Sequence, residues 1–305
     1  FPISRPGNPP HGRPELARLS PSSEKIGNQA GSEETSSAAR QAVSERPGES
    51  FFFATFGTCK LSFRMAKLTF LGTGTSQGVP VISCHCRVCL SPDERDKRLR
   101  TSALIETGRE TILIDAGPDF RQQMLRAGVE RLDGILLTHE HKDHISGLDD
   151  VRAFNYTSGA PVKLYAEERV QKRVKQDFDY AFSEHPYPGV PEIDLHTIRS
   201  DEPFSIGQTR IVPIRGIHYK LPVLGFRIGP LAYLTDMNRI DEREIDKIRG
   251  VDTLVINALR KEPHLSHFTL DDALRISRAV SSNVTYLTPE GVYFAYDGLT
   301  VEIPE

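Results

Sequence analysis

Four metal-ligand-type side chains fall within six residues of this chain, directly behind an apolar run. No other feature restricts the fold as much. The run is Gly134-Ile135-Leu136-Leu137, and the segment behind it is Thr138-His139-Glu140-His141-Lys142-Asp143-His144. A short apolar run bounded by polar residues predicts a buried strand, so the histidines sit where that strand ends. His139 and His141 are two apart and project from the same side of extended backbone. Asp143 and His144 then come from a turn that opens a helix from Ile145 onward. Placing so many polar groups beside a core is costly unless something satisfies them. Imidazole and carboxylate together suit Zn, Mn or Fe, and four of them leave room for two adjacent ions.

Two later segments offer similar groups at strand ends. His218 follows the apolar stretch Ile211–Ile217, and Asp236 follows Leu231–Thr235. Alone, each reads as a surface histidine and a turn residue; beside the cluster each becomes a candidate ligand. Asp236 is suited to a place between two ions, because a carboxylate offers two oxygens and an imidazole one free lone pair.

The remaining composition narrows the class. A chain of 305 residues, 38% hydrophobic and 26% charged, with a formal net charge of −3, has no electrostatic footprint for nucleic acid or an anionic membrane. No apolar run approaches the length of a membrane-spanning helix. The expected partner is therefore a small molecule, with neither membrane nor nucleic acid, and a homodimer stays open. Of the four cysteines, Cys84, Cys86 and Cys89 lie within six residues. That is too tight for a disulfide framework and suited to thiolate–metal coordination, which argues for a reducing, cytoplasmic setting.

Residues 1–64 hold 7 Pro, 6 Gly and 10 Ser, about a third of the segment. Such a stretch buries too little apolar surface to offset its ordering entropy and is expected to be a disordered extension. Met65 is the first methionine, and regular patterning starts there, so a natural start at Met65 is expected. Residues 66–305 then form one domain of alternating strands and helices. Strands are predicted over Lys67–Leu71, Ser102–Thr107, Thr111–Asp115, Asp133–Leu137, Val162–Tyr165, Arg210–Ile214, Leu224–Ile228, Leu231–Leu234, Thr253–Ile256, Val284–Leu287 and Val292–Ala295. Helices are predicted over Phe120–Ala127, Glu167–Phe178, Glu242–Ile248 and Leu270–Val280. The alternation implies an α/β (α+β) fold with helices packed on the outer faces of its sheets.

The run Thr138-His139-x-His141-x-Asp143-His144 with a later histidine and aspartate resembles the metallo-β-lactamase superfamily. Within it, the branch of the phosphoribosyl cyclic phosphate phosphodiesterase is similar in Leu71-Gly72-Thr73-Gly74-Thr75-Ser76-Gln77-Gly78-Val79-Pro80, in Cys84-x-Cys86-x-x-Cys89, and in Asn257-Ala258-Leu259 followed by Ser266-His267-Phe268. The resemblance implies a four-layer αβ/βα sandwich with a two-metal site, zinc or alternatively Mn2+. It implies His139, His141 and His218 on one ion, Asp143 and His144 on the other, and Asp236 between them. Asp115 would orient the ligand loop, although an N-cap for the helix near Phe120 explains it equally. Asp143 and His267 become the catalytic candidates, His267 as acid/base, with helix capping as its plainer role. Cys84, Cys86 and Cys89 resemble a separate structural zinc site. The chemistry implied is hydrolysis of a small phosphodiester, cyclic forms included, by a hydroxide formed on the metal.

One departure weakens the match. Members of the branch carry a histidine directly after the strand that aligns with Val284–Thr288, and a second nearby. Here Thr288 runs into Pro289-Glu290-Gly291, and no histidine follows His267. The second ion would lack an imidazole, with Glu290 or water in its place, and the three cysteines would lack their fourth partner. Thioester, lactam or ribonuclease-type hydrolysis of the same fold compete with the phosphodiesterase reading, as does a catalytically impaired metal-binding protein. Arg95, Lys97, Arg98 and Arg100 are expected in a solvated loop or against a substrate phosphate.

Overall fold

The strands that read as continuous apolar runs are buried on both faces, and this sets the layering. The computed structural model describes residues 65–288 and 295–304. The expectations for residues 1–64, for Glu290 and for a strand over 292–294 lie outside the described residues. In chain order come β1 (Met65–Gly72), β2 (Ser102–Glu106), β3 (Thr111–Ile114), α1 (Phe120–Ala127), β4 (Gly134–Leu136), α2 (Lys142–Ile145), α3 (Arg152–Ser158), β5 (Val162–Ala166), α4 (Glu168–Asp177) and β6 (Ile193–Thr197). Then follow β7 (Phe204–Ile206), β8 (Thr209–His218), β9 (Leu221–Ile228), β10 (Leu231–Leu234), β11 (Arg239–Ile240), α5 (Glu242–Asp246), β12 (Thr253–Asn257), α6 (Leu270–Val280), β13 (Val284–Thr288) and β14 (Thr300–Pro304).

Two sheets result. One runs β14-β1-β2-β3-β4-β5-β6, antiparallel up to β3 and parallel from β3 to β6. The other runs β11-β8-β9-β10-β12-β13, with β7 beside β8; β10, β12 and β13 are parallel. Successive strand residues point to opposite faces, and the cores divide accordingly. Ile112, Ile114 and Leu136 join Phe226, Tyr233 and Val255 in a core between the sheets. Leu113, Ile135 and Leu137 turn outward to Phe120 of α1, Phe154 of α3 and Val170 and Val174 of α4. Leu234, Leu254 and Ile256 face Ile245 of α5 and Ala273 and Ile276 of α6. The layers are thus helix, sheet, sheet, helix. Each fully buried Leu, Ile or Phe contributes about 1.5–3 kcal/mol, so the three cores account for most of the driving force.

Several boundaries differ from the sequence reading. The helix at the ligand segment begins at Lys142 rather than Ile145, so Asp143 and His144 ride on it instead of on a preceding turn. The helix α3 and the strands β6, β7, β11 and β14 were not anticipated. They are short, and their conformation comes from the neighbours they pair with rather than from a strong pattern of their own. The basic run is solvated only in part, with Arg95 exposed. Arg98 is buried with its Nη1 donating to the Ala295 carbonyl at 3.0 Å, Arg100 pairs with Asp119, and Arg95 with Asp93.

Candidate metal centre

The strands β1, β3, β4, β8, β10 and β12 are oriented so that their carboxyl ends lie at one edge, and every candidate ligand leaves from such an end. Asp115 follows β3 and is fully buried at φ 60. Its carboxylate accepts the Thr138 amide at 2.9 Å and the Thr138 hydroxyl at 2.9 Å, and lies 2.7 Å from His144 Nδ1. It does not cap α1, whose N-cap position is Asp119. Its task is to fasten the ligand segment to the end of the neighbouring strand. Asp236, after β10, also takes a left-handed φ of 53. Such backbone in a non-glycine residue costs about 1–2 kcal/mol and marks a position set by its surroundings.

The hydrogen bonds decide which imidazole nitrogens are free. The Thr138 hydroxyl has one proton, which the Asp115 carboxylate takes. His139 Nδ1, 2.9 Å from that oxygen, must therefore donate, leaving Nε2 as a lone pair that faces His141 Nδ1 at 3.0 Å. His218 Nδ1 donates to the Ser266 carbonyl at 2.8 Å, and its Nε2 is free in the same way. His144 Nδ1 is turned to Asp115. His144 Nε2 is buried and has no hydrogen-bond partner among the described residues, although Asp143 Oδ2 lies 3.3 Å away and Asp236 Oδ2 3.4 Å away. A buried lone pair flanked by two carboxylates is what a cation satisfies. The candidate ligand atoms of His139, His141 and His218 lie within 4.8 Å of one another, as do those of His139, His144 and Asp236, and those of His218, Asp236 and His267. These residues fit divalent metal.

Electrostatics points the same way. Burial lowers His139 well below an ordinary histidine, helped by charge on His144, His141 and His218. Burial also lowers His141, and lowers His267 to about 4 although the Asp236 carboxylate opposes it. All three are neutral at pH 7, the form that binds metal. Burial would raise Asp143, but the adjacent His144 ring, 3.3 Å away, outweighs it and holds the carboxyl at about 2. Burial likewise opposes charge on His144; the Asp115 and Asp236 carboxylates prevail and raise it well above the usual value. A proton and a metal ion therefore compete for His144 Nε2.

His267 arrives from the second sheet. Phe268 N donates to the Met237 carbonyl at 2.7 Å, and α6 starts one residue later with a capping box between Thr269 and Asp272. This places His267 Nδ1 3.8 Å from Asp236 Oδ1. His264 ring-packs against it at 5.2 Å. The sulfurs of Cys84, Cys86 and Cys89 form a separate group within 4.8 Å, which His85 does not join. The Cys89 amide and the Cys84 thiol hold the Cys86 thiol down to about 7, and thiolates favour a soft metal.

Further residues position the site, and of these Arg169 and Asp297 carried no recognisable spacing. Asn257 clasps the Met237 backbone from both sides, accepting from its N–H at 3.0 Å and donating to its carbonyl at 2.9 Å. Arg169, on α4, binds both the Glu140 carboxylate, between the first two histidines, and the Pro222 carbonyl of β9. Asp297 holds Thr73 N at 2.8 Å and Leu99 N at 2.7 Å.

The model of the beta-lactamase superfamily domain matches residues 110–288, more than half of the chain. The chain belongs to the metallo-β-lactamase superfamily. A crystal structure of a diphosphatase from the PhnP family is similar at 37% identity and a TM-score of 0.72, over 79% of this chain and 99% of that one. A Porphyromonas gingivalis protein named octanoyltransferase is 41% identical over 77% of this chain and 51% of its own length. Ribonuclease Z of Mycolicibacterium gilvum is 27% identical over 65% of this chain and 70% of its own. The chain spans about half or less of the first curated relatives it matches. Half of the octanoyltransferase lies outside the match, so its name says nothing of this domain. As a metallo-β-lactamase-fold domain it shares its architecture with diphosphatase and ribonuclease Z relatives. Among the described residues no helix is long and apolar enough to cross a membrane.

Proposed function

We propose that this metallo-β-lactamase domain hydrolyses a small phosphodiester or diphosphate, cyclic forms included, in a cytoplasmic setting. One observation carries the reading. Two ligand sets, His139–His141–His218 and Asp143–His144–Asp236, adjoin through His139 in a chain similar to a PhnP-family diphosphatase over nearly all of that protein. Zinc, or Mn2+ in its place, would be held by those sets, with Asp236 between them; the bound ions would supply positive charge that acidifies water and offsets charge on a phosphoryl oxygen. His267, neutral at pH 7 and beside Asp236, takes up a proton at the cleft and returns it to the leaving oxygen. Asp143, ionised down to about pH 2, keeps negative charge against the ions throughout.

The second ligand set contains one imidazole, His144, and no histidine follows His267. One tightly held and one weakly held active-site ion are therefore expected per chain, and two tightly held ions would overturn this. The activity test is turnover of bis-p-nitrophenyl phosphate with added Zn2+ or Mn2+. Wild-type protein should turn over and His141→Ala should fall to background. Cleavage of a thioester or of RNA alone, or no turnover with any metal, would overturn the proposal. The net charge of −3 works against RNA, whose binding leans on cationic contacts to phosphate.

A further inference from the structure

The cleft beside the ligands holds two hydroxyls with no task in this scheme. It is narrow, about 20 Å³, open to solvent, and lined by Asp143, Asp236 and His267 together with the loop that leaves β1. Most other polar side chains on its walls are engaged within the protein. The Thr73 hydroxyl donates to Asp297 at 2.9 Å, and Thr101 pairs with the buried Tyr233 hydroxyl at 3.2 Å. Thr235 donates to Asp236 at 2.8 Å, and Asn257 is bonded at both ends to Met237. Thr75 and Ser76 differ. Thr75 is half-buried and Ser76 exposed; neither hydroxyl has a protein partner among the described residues, and both residues line the same cleft as the ligand carboxylates.

Their loop is held in place before any substrate arrives. Gly74 N donates to the Leu99 carbonyl at 2.8 Å, and Gly78 N to the Thr75 carbonyl at 2.9 Å. Arg100 Nε donates to the Ser76 carbonyl at 3.3 Å, while Asp119 anchors the same guanidinium at 2.9 Å. A Cβ on residue 74 would lie 2.9 Å from the Leu99 carbonyl oxygen and 3.0 Å from that of Arg98, so the loop passes too close for any side chain there. A rigid loop presenting two unspent donors opposite a cation site matches an anion whose oxygens must face both.

We propose that Thr75 and Ser76 form the phosphoryl subsite, donating hydrogen bonds to a non-bridging oxygen of the substrate. The inference rests on the phosphodiesterase reading and assigns that site its substrate contacts. The test uses the full chain loaded with zinc, and compares Thr75→Val, Ser76→Ala and Thr75→Ser with wild type. Zinc content, Tm, calorimetric binding of inorganic phosphate and kcat/KM on bis-p-nitrophenyl phosphate are measured. Thr75→Val and Ser76→Ala should keep zinc and Tm while phosphate binds about ten-fold more weakly for each lost hydroxyl. Thr75→Ser, which keeps the hydroxyl, should retain phosphate affinity. Unchanged phosphate affinity in both deletions overturns the subsite, as does an equal loss in Thr75→Ser and Thr75→Val. If wild-type protein neither binds phosphate nor cleaves the diester, the underlying reading fails and the subsite with it. Wild-type turnover with unaffected variants overturns the subsite alone.

Discussion

Asp115 shows how one buried side chain can govern a ligand set it does not belong to. It receives three donors, two from Thr138 and one from His144, and a carboxylate can accept them all. Asp115→Asn keeps the shape but turns one acceptor into a donor, so one contact becomes a clash of N–H groups. Zinc affinity should fall about 10- to 100-fold, read by chelator competition, because the partner that orients His144 is lost. The clustered histidines set a pH dependence. His139, His141 and His267 are held below the ordinary value of 6.5, so the unfolded chain takes up protons that the folded one refuses. Stability is then lost as pH falls below 6.5, and for His267 continues to be lost down to about 4. His144 works in the opposite sense: raised by its carboxylates, its contribution is present below 6.5 and lost as pH rises through its folded value. Three groups outweigh one on the acid side. Metal-free protein should therefore melt at progressively lower temperature from pH 6.5 to 4, and His267→Gln should flatten that slope.

At the scale of elements, the four-residue helix α2 is too short to place Asp143 and His144 unaided. It is positioned by contact. A Cβ on Gly117 would lie 2.0 Å from the Asp143 carbonyl oxygen, and one on Gly147 2.1 Å from the Gly117 carbonyl oxygen. Gly117→Ala should push α2 away, cost about 1–3 kcal/mol as an overpacked site, and release the weaker ion first, measurable as zinc per chain beside a thermal melt. On the other side, α6 is held by the Thr269–Asp272 capping box directly after His267 and Phe268. Thr269→Ala should cost about 1 kcal/mol in denaturant unfolding. Elements with a strong apolar pattern, such as α6 and the strands β3 and β10, were legible from the chain, because their apolar residues match the faces they bury. The strands β6, β11 and β14 were not, since edge pairing rather than composition defines them.

Across the whole molecule, the candidate ions sit where the two sheets meet. His139, His141, Asp143 and His144 come from the first sheet, and His218, Asp236 and His267 from the second. A metal bound there would therefore close the sandwich as well. At free zinc a hundred-fold above its Kd the folded state gains about 2.7 kcal/mol, so zinc should raise Tm by roughly 5–10 °C over chelated protein. Arg169 straps the same seam, from the Glu140 carboxylate to the Pro222 carbonyl, and Arg215 of β8 binds Glu167 beside it. Arg169→Ala should weaken zinc binding and leave Glu140 unpaired, at a cost of about 1–3 kcal/mol, and Arg169→Lys should recover part of it.

The amino-acid order alone determined which strands are buried on both faces and that an imidazole–carboxylate cluster follows one of them. Those are local properties: side-chain period and ligand spacing need no partner to be read. Only the tertiary structure decided that His218, Asp236 and His267 meet that cluster, that Asp115 orients His144 instead of capping α1, and that Thr75 and Ser76 face the cleft with unspent hydroxyls. These facts depend on contacts between segments tens to more than a hundred residues apart. Nothing in the intervening sequence encodes such distances until two sheets pack and bring their strand ends to a common edge.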